Sequence, residues 1–241
     1  MKKIFFVVAL VAACFVGTSN SASAQVVFSE FFGNQPGADA ATQDIELAGG
    51  TPGAAFTFDI ISLESDGAAA LATVDRLFNV AGTFDAAGLA VVNVADLENP
   101  SFTLILADSF SGMLGDNLDA DTDGVIDDLT LFTNVSDAIG VTEDVGDVNF
   151  ADDFGGTFLT PNGGDQDLVF RDLSTGAVFS TQGTTIFDAA GTTFAVSDFT
   201  FDPTTPNFGS VNATLAAAVP EPGSLVFLGL ASLGMVARRR R

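Results

Sequence analysis

Residues 55–61 read AFTFDII, and this stretch decides the class of fold that the sequence predicts. Apolar and polar side chains alternate along it, which places Phe56, Phe58 and Ile60 on one face of an extended chain. A period of two residues is typical of a half-buried β-strand and does not fit a helix. We therefore expect a strand here, with its phenylalanine side chains on the buried face.

Further short runs rich in Val, Ile, Phe and Thr surround this strand, and clusters of Gly, Pro, Asn and Asp separate them. These additional predicted strands are residues 26–32, 89–94, 102–107, 168–170 and 193–201. The one predicted helix covers residues 63–76, where residues 68–71 are good helix formers. Many short strands with frequent turns predict an all-β protein with a β-sandwich fold.

The composition of the chain excludes several classes of partner. Residues 25–220 contain 30 acidic residues, all those of the chain except Glu221, against two arginines, which gives a formal charge of −28. Such a surface repels nucleic acids and anionic lipid headgroups, so we expect no nucleic-acid partner, whereas divalent cations suit it. The apolar fraction of 47% predicts a folded chain.

The first 24 residues have the pattern of a signal peptide. A short basic start is followed by an apolar run at residues 4–16 and by the small residues Ala22, Ser23 and Ala24. We expect export through the Sec translocon and cleavage by signal peptidase between Ala24 and Gln25. An alternative interpretation is that residues 11–14 (VAAC) form a lipobox, which would make Cys14 a lipidated N-terminus.

The C-terminal residues 219–241 read VPEPGSLVFLGLASLGMVARRRR and have three parts in a fixed order. Two prolines within Val219, Pro220, Glu221 and Pro222 disfavour helix. An uncharged apolar run follows, and its 15 residues would span roughly 22 Å as a helix, against a hydrocarbon core of about 30 Å. The run is short for a durable span and therefore predicts a transient membrane anchor. Four arginines close the chain, and they predict that this end stays on the cytoplasmic side. The alternative, a short buried helix of a soluble domain, fits the arginines poorly.

This tail resembles the PEP-CTERM sorting signal of exported bacterial proteins. The resemblance implies that an exosortase-type sorting enzyme recognises and cleaves the tail, after the C-terminal helix has held the protein in the inner membrane. It also implies a place in the cell envelope or outside the cell, in extracellular matrix, biofilm or surface layer, with exopolysaccharide as a partner. The predicted domains are a signal peptide (1–24), a β-sandwich (25–215), and a linker with the sorting signal (216–241).

The predicted first strands resemble those of lamin-tail domains. Residues 26–30 (VVFSE) and 44–47 (DIEL) follow the pattern of an apolar-Ser-Glu strand and then a strand of Ile-Glu-Leu type. The resemblance covers residues 25–171 and implies an immunoglobulin-like sandwich of the kind found on secreted bacterial surface proteins. Asp44 stands where those domains usually have an aromatic residue, and a generic sandwich fits the same pattern of strands.

Residues 116–128 read DNLDADTDGVIDD and contain the densest group of carboxylates. Three Asp at alternate positions and then Gly124 match the first half of an EF-hand calcium loop, in which the backbone carbonyl of the seventh residue is also a ligand. Thr130 stands at the twelfth position in place of the usual glutamate, and the flanking residues 102–107 and 129–132 are predicted strands, so we expect a Ca²⁺ loop between strands. The predicted ligands are Asp119, Asp121, Asp123, Val125, Asp127 and Asp128. The alternative is a solvated acidic turn, although carboxylates this crowded repel one another unless a cation neutralises them.

The residue types argue against most kinds of enzyme. The chain has no His, and its only cysteine, Cys14, lies in the signal peptide, which excludes Ser-His-Asp, Cys-His and His-ligated zinc chemistry. A glycosidase needs only two carboxylates, but the chain has no Trp or Tyr on which a sugar could stack. We predict a non-enzymatic protein, with a secreted carbohydrate-binding module as the alternative and a carboxylate glycosidase as a more remote one. Arg76 and Arg171 are predicted to be structural ion-pair partners.

Overall fold

The computed structural model describes residues 25–35, 40–67, 70–97 and 101–216. The predicted signal peptide, with Ala24 and Cys14, and the predicted sorting signal lie outside these described residues. Gln25, the predicted first residue of the mature chain, is exposed. None of the helices among the described residues is long and apolar enough to cross a membrane.

The described residues form two β-sheets. The first has seven strands in the order β12-β11-β10-β9-β1-β2-β5, and the second has five in the order β4-β3-β6-β7-β8. Neighbouring strands are antiparallel except for β7 and β8, which are parallel. The strands of the first sheet are β1 (Val27–Phe32), β2 (Thr42–Ala48), β5 (Ala90–Ala95), β9 (Leu168–Arg171), β10 (Val178–Gln182), β11 (Thr185–Asp188) and β12 (Thr193–Phe194). Those of the second are β3 (Ala55–Glu64), β4 (Val74–Thr83), β6 (Phe102–Phe110), β7 (Phe132–Val141) and β8 (Thr157–Leu159).

The main apolar core lies between the two sheets. Phe56, Phe58 and Ile60 of β3 are all buried in it, so the alternation that predicted this strand is confirmed. The first sheet contributes Phe28 and Phe31 of β1, among others, to the same cluster. Because side chains from both sheets fill one core, the prediction of an all-β sandwich is confirmed.

Each sheet is also covered on its outer face. Ile61 and Leu63 of β3 point away from the main core and pack in a second cluster with Leu118 and Ile126, which come from the long connection between β6 and β7. On the first sheet, the residues after β12 fold back over the outer face. There Phe199 and four other buried side chains form a third cluster: Phe170, Phe179, Ile186, Phe199 and Ala213.

The predicted strands at residues 26–32, 55–61, 89–94, 102–107 and 168–170 are confirmed within one to three residues at their ends. The prediction of a helix at residues 63–76 is wrong, since β3 continues to Glu64 and β4 begins at Val74. Leu63 pairs with Val74 across these two strands and both are buried in the second cluster, so tertiary packing overrides the local helix propensity.

The predicted strand at residues 193–201 is also largely wrong. Only Thr193–Phe194 is a strand, and a 3₁₀ helix follows at Val196–Asp198. A carboxylate oxygen of Asp198 accepts a hydrogen bond from the N–H of Ala195 at 2.9 Å, which supports the turn of this short helix. The turn redirects the chain so that the Phe199 ring packs against Phe170 and Phe179 instead of extending the sheet.

Candidate functional site

The acidic loop, residues 119–127, lies on the outer face of the five-stranded sheet. Leu118 just before it and Ile126 within its second half are both buried in the second apolar cluster. The N–H of Leu118 donates to the carbonyl of Ala72 at 3.1 Å, and the N–H of Asp127 donates to the carbonyl of Leu118 at 2.8 Å. Two buried apolar side chains and a backbone hydrogen bond therefore close the loop at its base.

Asp119 organises the inside of this loop. Its side chain is fully buried, and its two carboxylate oxygens accept hydrogen bonds from the N–H groups of Asp123 at 3.1 Å and Gly124 at 2.9 Å. Gly124 has a φ of +85°, a backbone conformation that a residue with a side chain adopts only at a cost. The glycine of the calcium-loop pattern therefore stands at a backbone position that favours glycine.

Carboxylate oxygens of Asp119, Asp121 and Asp127 all lie within 4.8 Å of one another. The carboxylate of Asp127 is held in place because it accepts a hydrogen bond from the N–H of Ala120 at 2.7 Å. The pKa of the exposed Asp121 is raised, chiefly by the negative charge of Asp123, then by desolvation and by the charge of Asp127. Three converging oxygens of this kind suit a hard divalent cation such as Ca²⁺.

The carboxylates of Asp123 and Asp128, which were also predicted as ligands, lie outside this convergent group. Asp123 turns a carboxylate oxygen toward the N–H of Val125, at 3.0 Å, and the side chain of Val125 is half exposed. Asp128 caps the 3₁₀ helix Leu129–Leu131 by accepting hydrogen bonds from the hydroxyl of Thr130 at 2.6 Å and from its N–H at 2.9 Å. These bonds lower the pKa of Asp128. This 3₁₀ helix also stands where residues 129–131 were expected to begin a strand, and β7 starts at Phe132.

Asp153 also supports the acidic loop, and sequence reasoning missed it. One of its carboxylate oxygens accepts a hydrogen bond from the N–H of Ile126 at 2.9 Å. Asp153 belongs to the short 3₁₀ helix Ala151–Phe154, which lies beyond β7, so no local spacing in the sequence could have indicated this contact.

A second group of carboxylates lies on the outer face of the seven-stranded sheet. Glu30 of β1 and Glu46 of β2 are directly opposite each other in the antiparallel pair of strands. Glu30 is only 1% exposed to solvent and Glu46 is 0% exposed. The residues after Phe199 cover them. Both carboxylate oxygens of Glu30 accept from the N–H of Asn207 at 3.2 Å, and one of Glu46 accepts from the N–H of Gly209 at 2.6 Å.

Burial sets the titration of this pair. Burial raises the pKa of Glu30 to about 7, the hydrogen bond from Asn207 opposes the shift, and the charge of Glu46 adds to it. Burial also raises the pKa of Glu46, against hydrogen bonds from the Ser29 hydroxyl and the Gly209 N–H. The second carboxylate oxygen of Glu46, Oε1, is buried and has no hydrogen-bond partner among the described residues. Glu30 stands in a strand whose other residues are mainly apolar, and Glu46 lies between Ile45 and Leu47, which is the signal that could have identified them.

The two arginines form ion pairs, as predicted. Arg171 at the end of β9 donates to Asp137 of β7 at 2.6 Å, and both side chains are at most 10% exposed. Its guanidinium also donates to the carbonyls of Phe28 at 3.0 Å and Gly176 at 3.1 Å. Arg76 pairs with Asp75 at a site that is about one third exposed.

Comparison with known proteins identifies the tail. Residues 218–241 match the PEP-CTERM protein-sorting motif, and the match includes the four predicted motif residues Val219, Pro220, Glu221 and Pro222. The recognition of a sorting signal from the sequence is thereby confirmed. No curated protein and no solved structure matches the chain.

Proposed function

Because residues 218–241 carry a PEP-CTERM sorting motif, we propose that this chain is a non-enzymatic protein of the cell surface or extracellular matrix. The motif itself indicates an exported, envelope-associated protein that an exosortase-type enzyme processes. In our proposal the Sec translocon and signal peptidase act on residues 1–24, and the apolar tail holds the protein in the inner membrane until processing. Exopolysaccharide is the proposed partner in the matrix.

The burial of Glu30 and Glu46, which face each other across β1 and β2, supports a non-enzymatic role. A general acid with a pKa of about 7 would suit glycoside hydrolysis, and Glu30 has this value. Backbone groups of Asn207 and Gly209 cover Glu30 and Glu46, however, and leave both almost fully buried. A sugar has no access to this pair while that cover is in place.

The order of the first seven strands supports an immunoglobulin-like sandwich. Strands β1, β2 and β5 are neighbours in one sheet, and β4, β3, β6 and β7 are neighbours in the other. A division of seven strands between two such antiparallel sheets is characteristic of immunoglobulin-like domains. Strands β8 to β12 extend the two sheets beyond this unit. We propose that the domain has an immunoglobulin-like fold and, more specifically, that it is related to lamin-tail domains.

We further propose that Ca²⁺ stabilises the domain through the acidic loop. Asp119, Asp121 and Asp127 supply convergent oxygens, and a chain with a formal charge of −28 between residues 25 and 220 gains from a bound cation. Of the remaining predicted ligands, Asp123 and Asp128 would need to rearrange to join the shell, since their carboxylate oxygens accept hydrogen bonds from Val125 and Thr130. Val125 would contribute its backbone carbonyl.

The sorting function is tested by replacing Pro220, Glu221 and Pro222 with alanine. Export should continue, because the signal peptide is unchanged, but the protein should stay in the membrane fraction because the apolar run still anchors it. Fractionation of cells that express the variant measures this result. Release of the variant at the level of the parent protein would show that these three residues act only as a linker.

The calcium site is tested by thermal unfolding with and without the ion. At free Ca²⁺ one hundred times the dissociation constant, binding should add about 2.7 kcal/mol, or roughly 5–10 °C in Tm for a domain of this size. Asp121→Asn removes one convergent ligand and should abolish most of this increase. Magnesium should add less, because it requires a tighter octahedral shell.

Two controls separate ligation from general screening of charge. Sodium chloride at matched ionic strength measures screening alone. Asp144→Asn makes the same change of charge on a different exposed loop and should leave the calcium increase intact. If Asp121→Asn responds to Ca²⁺ as the parent protein does, the loop is a solvated acidic turn.

A further inference from the structure

The last described segment, residues 199–216, forms a strap across the outer face of the seven-stranded sheet. Its two ends pair with each other: the N–H of Thr200 donates to the carbonyl of Thr214 at 2.9 Å, and the N–H of Ala216 donates to the carbonyl of Asp198 at 2.8 Å. Between these ends the chain runs as a loop over β1 and β2. The strap is therefore an irregular cover that depends on what lies beneath it.

Apolar and polar contacts hold the strap to the sheet. The Phe199 ring packs edge-on against Phe179 at 5.2 Å, and Phe208 packs edge-on against Phe32 of β1 at 5.7 Å between ring centroids. The side-chain amide of Asn212 donates to the carbonyl of Ser29 at 2.7 Å. The middle of the strap is fastened by its backbone N–H groups, which donate to the carboxylates of Glu30 and Glu46 described above.

Two carboxylates that face each other in a buried position cannot both carry a charge without compensation. No basic side chain among the described residues is hydrogen-bonded to either glutamate. Arg171 forms its ion pair with Asp137, and Arg76 forms its ion pair with Asp75. The other charged group that acts on the pair is also acidic, since the charge of Asp85 raises the pKa of Glu46. The strap itself contacts a further carboxylate, because Asp172 accepts a hydrogen bond from the N–H of Leu215. One proton held by the pair would supply the missing compensation, and Glu46 Oε1 is a buried oxygen with no hydrogen-bond partner among the described residues.

We propose that Glu30 and Glu46 share one proton and form a pH-dependent clasp, which holds residues 199–216 on the sheet when protonated and releases them when both glutamates ionise. The released state exposes the glutamates to water, where each ionises near its usual value.

The direction of the pH dependence follows from this difference. Glu30 has a pKa of about 7 in the closed state, against 4.5 as its ordinary value. The closed strap therefore binds the proton more tightly than the open strap does, and closure is favoured at low pH. The preference for closure falls as the pH rises from about 4.5 through about 7, and it is constant above that range.

The position of the clasp gives it a role in the proposed sorting function, on which this consequence rests. Four residue steps separate Ala216, the last paired residue, from Pro220 of the sorting motif, so a closed strap keeps the motif within about 14 Å of the folded domain. Release of the strap as far as Asp198 lengthens this tether to at most about 80 Å. The clasp thus sets how far the motif can reach toward a processing enzyme.

Hydrogen exchange of the strap tests the clasp without reference to sorting. The protein is produced from its full-length gene, and exchange of the N–H groups of Thr200, Asn207, Gly209 and Ala216 is followed by mass spectrometry from pH 5 to pH 8. After correction for intrinsic exchange rates, the opening equilibrium should rise roughly 50- to 100-fold across this range. Glu30→Gln keeps the shape of the protonated group, so its opening should change less than about threefold.

Asp202→Asn is the matched control, because it removes one charge from an exposed carboxylate of the same strap and should keep the pH dependence of the parent protein. Protection of β3 and β6 in every variant verifies that the sandwich is folded. Opening of the parent strap that does not vary with pH overturns the proposal, as does a Glu30→Gln variant whose opening varies with pH as the parent's does.

The parent series repeated in millimolar Ca²⁺ is the third arm. Loss of the pH dependence there, with a closed strap, would mean that the pair holds a cation instead of a proton. If the alanine variant at Pro220, Glu221 and Pro222 contradicts the sorting function while hydrogen exchange still shows pH-dependent opening of the strap, the clasp stands and only its role in sorting is lost.

Discussion

Replacing Arg171 with methionine is expected to lower the free energy of unfolding by about 3–5 kcal/mol. The guanidinium connects the two sheets, since it belongs to β9 of the first and donates to Asp137 of β7 in the second. Methionine fills a similar volume, but it leaves the Asp137 carboxylate buried without its cation and the carbonyls of Phe28 and Gly176 without this donor. Denaturation by urea, followed to complete unfolding, measures the loss.

The size of this effect depends on burial, and the second arginine provides the comparison. Arg76 pairs with Asp75 where both side chains are about one third exposed, so Arg76→Met should cost about 1 kcal/mol or less. A double variant with Arg171→Met and Asp137→Leu removes both buried charges together and should recover much of the stability. If Arg171→Met costs no more than Arg76→Met, the buried pair is not what joins the sheets.

Local pattern was enough to identify five of the strands that contribute to the central core, namely β1, β3, β5, β6 and β9, but it missed β4, β7, β8 and β10, which also contribute. In β3 the alternation of Phe56, Phe58 and Ile60 predicts the buried face because only one side of that segment packs between the sheets. The same strand then continues through Ile61 and Leu63, which pack on the opposite face. The alternation of apolar and polar residues therefore stops at Ile61, because both faces of the strand are buried from that point. The absence of this alternation is why residues 63–76 were predicted as a helix.

The outer covers could not be predicted from local pattern, because each depends on residues far apart in the chain. The strap is held by contacts between residues such as Asn212 and Ser29, which are separated by 183 positions. The burial of the two glutamates also depends on distant residues, since Glu30 and Glu46 become buried only when Asn207 and Gly209 lie over them.

The acidic loop was partly predictable for a related reason. Alternate spacing brings Asp119 and Asp121 together, and Leu118 and Ile126 anchor the segment so that Asp127 returns to them. Which of the remaining oxygens point inward depends on backbone hydrogen bonds formed within the folded loop, and spacing does not encode these. Whether Ca²⁺ occupies the loop stays a prediction for the melting experiment.

Replacing Phe102 with alanine is expected to cost about 3–5 kcal/mol of unfolding free energy. The Phe102 ring is fully buried at the start of β6, and its centroid lies 6.3 Å from that of Phe31, which comes from the other sheet. Alanine removes the apolar contacts of the ring and leaves a cavity between the sheets, which a packed core fills only partially. Urea denaturation gives the magnitude, and the β-sheet signal in circular dichroism should be lost in one transition because both sheets share this core.

Phe201 supplies the matched control, since the same substitution there removes a ring that is 43% exposed and should change stability by about 0.5 kcal/mol or less. Phe102→Leu retains most of the apolar volume and should fall between the two. A cost at Phe102 as small as that at Phe201 would contradict a shared core. So would two separate transitions in the Phe102→Ala variant, because the sheets would then unfold independently. A single transition with the larger cost means that the sandwich unfolds as one cooperative unit, to which the strap and the acidic loop are attached from outside.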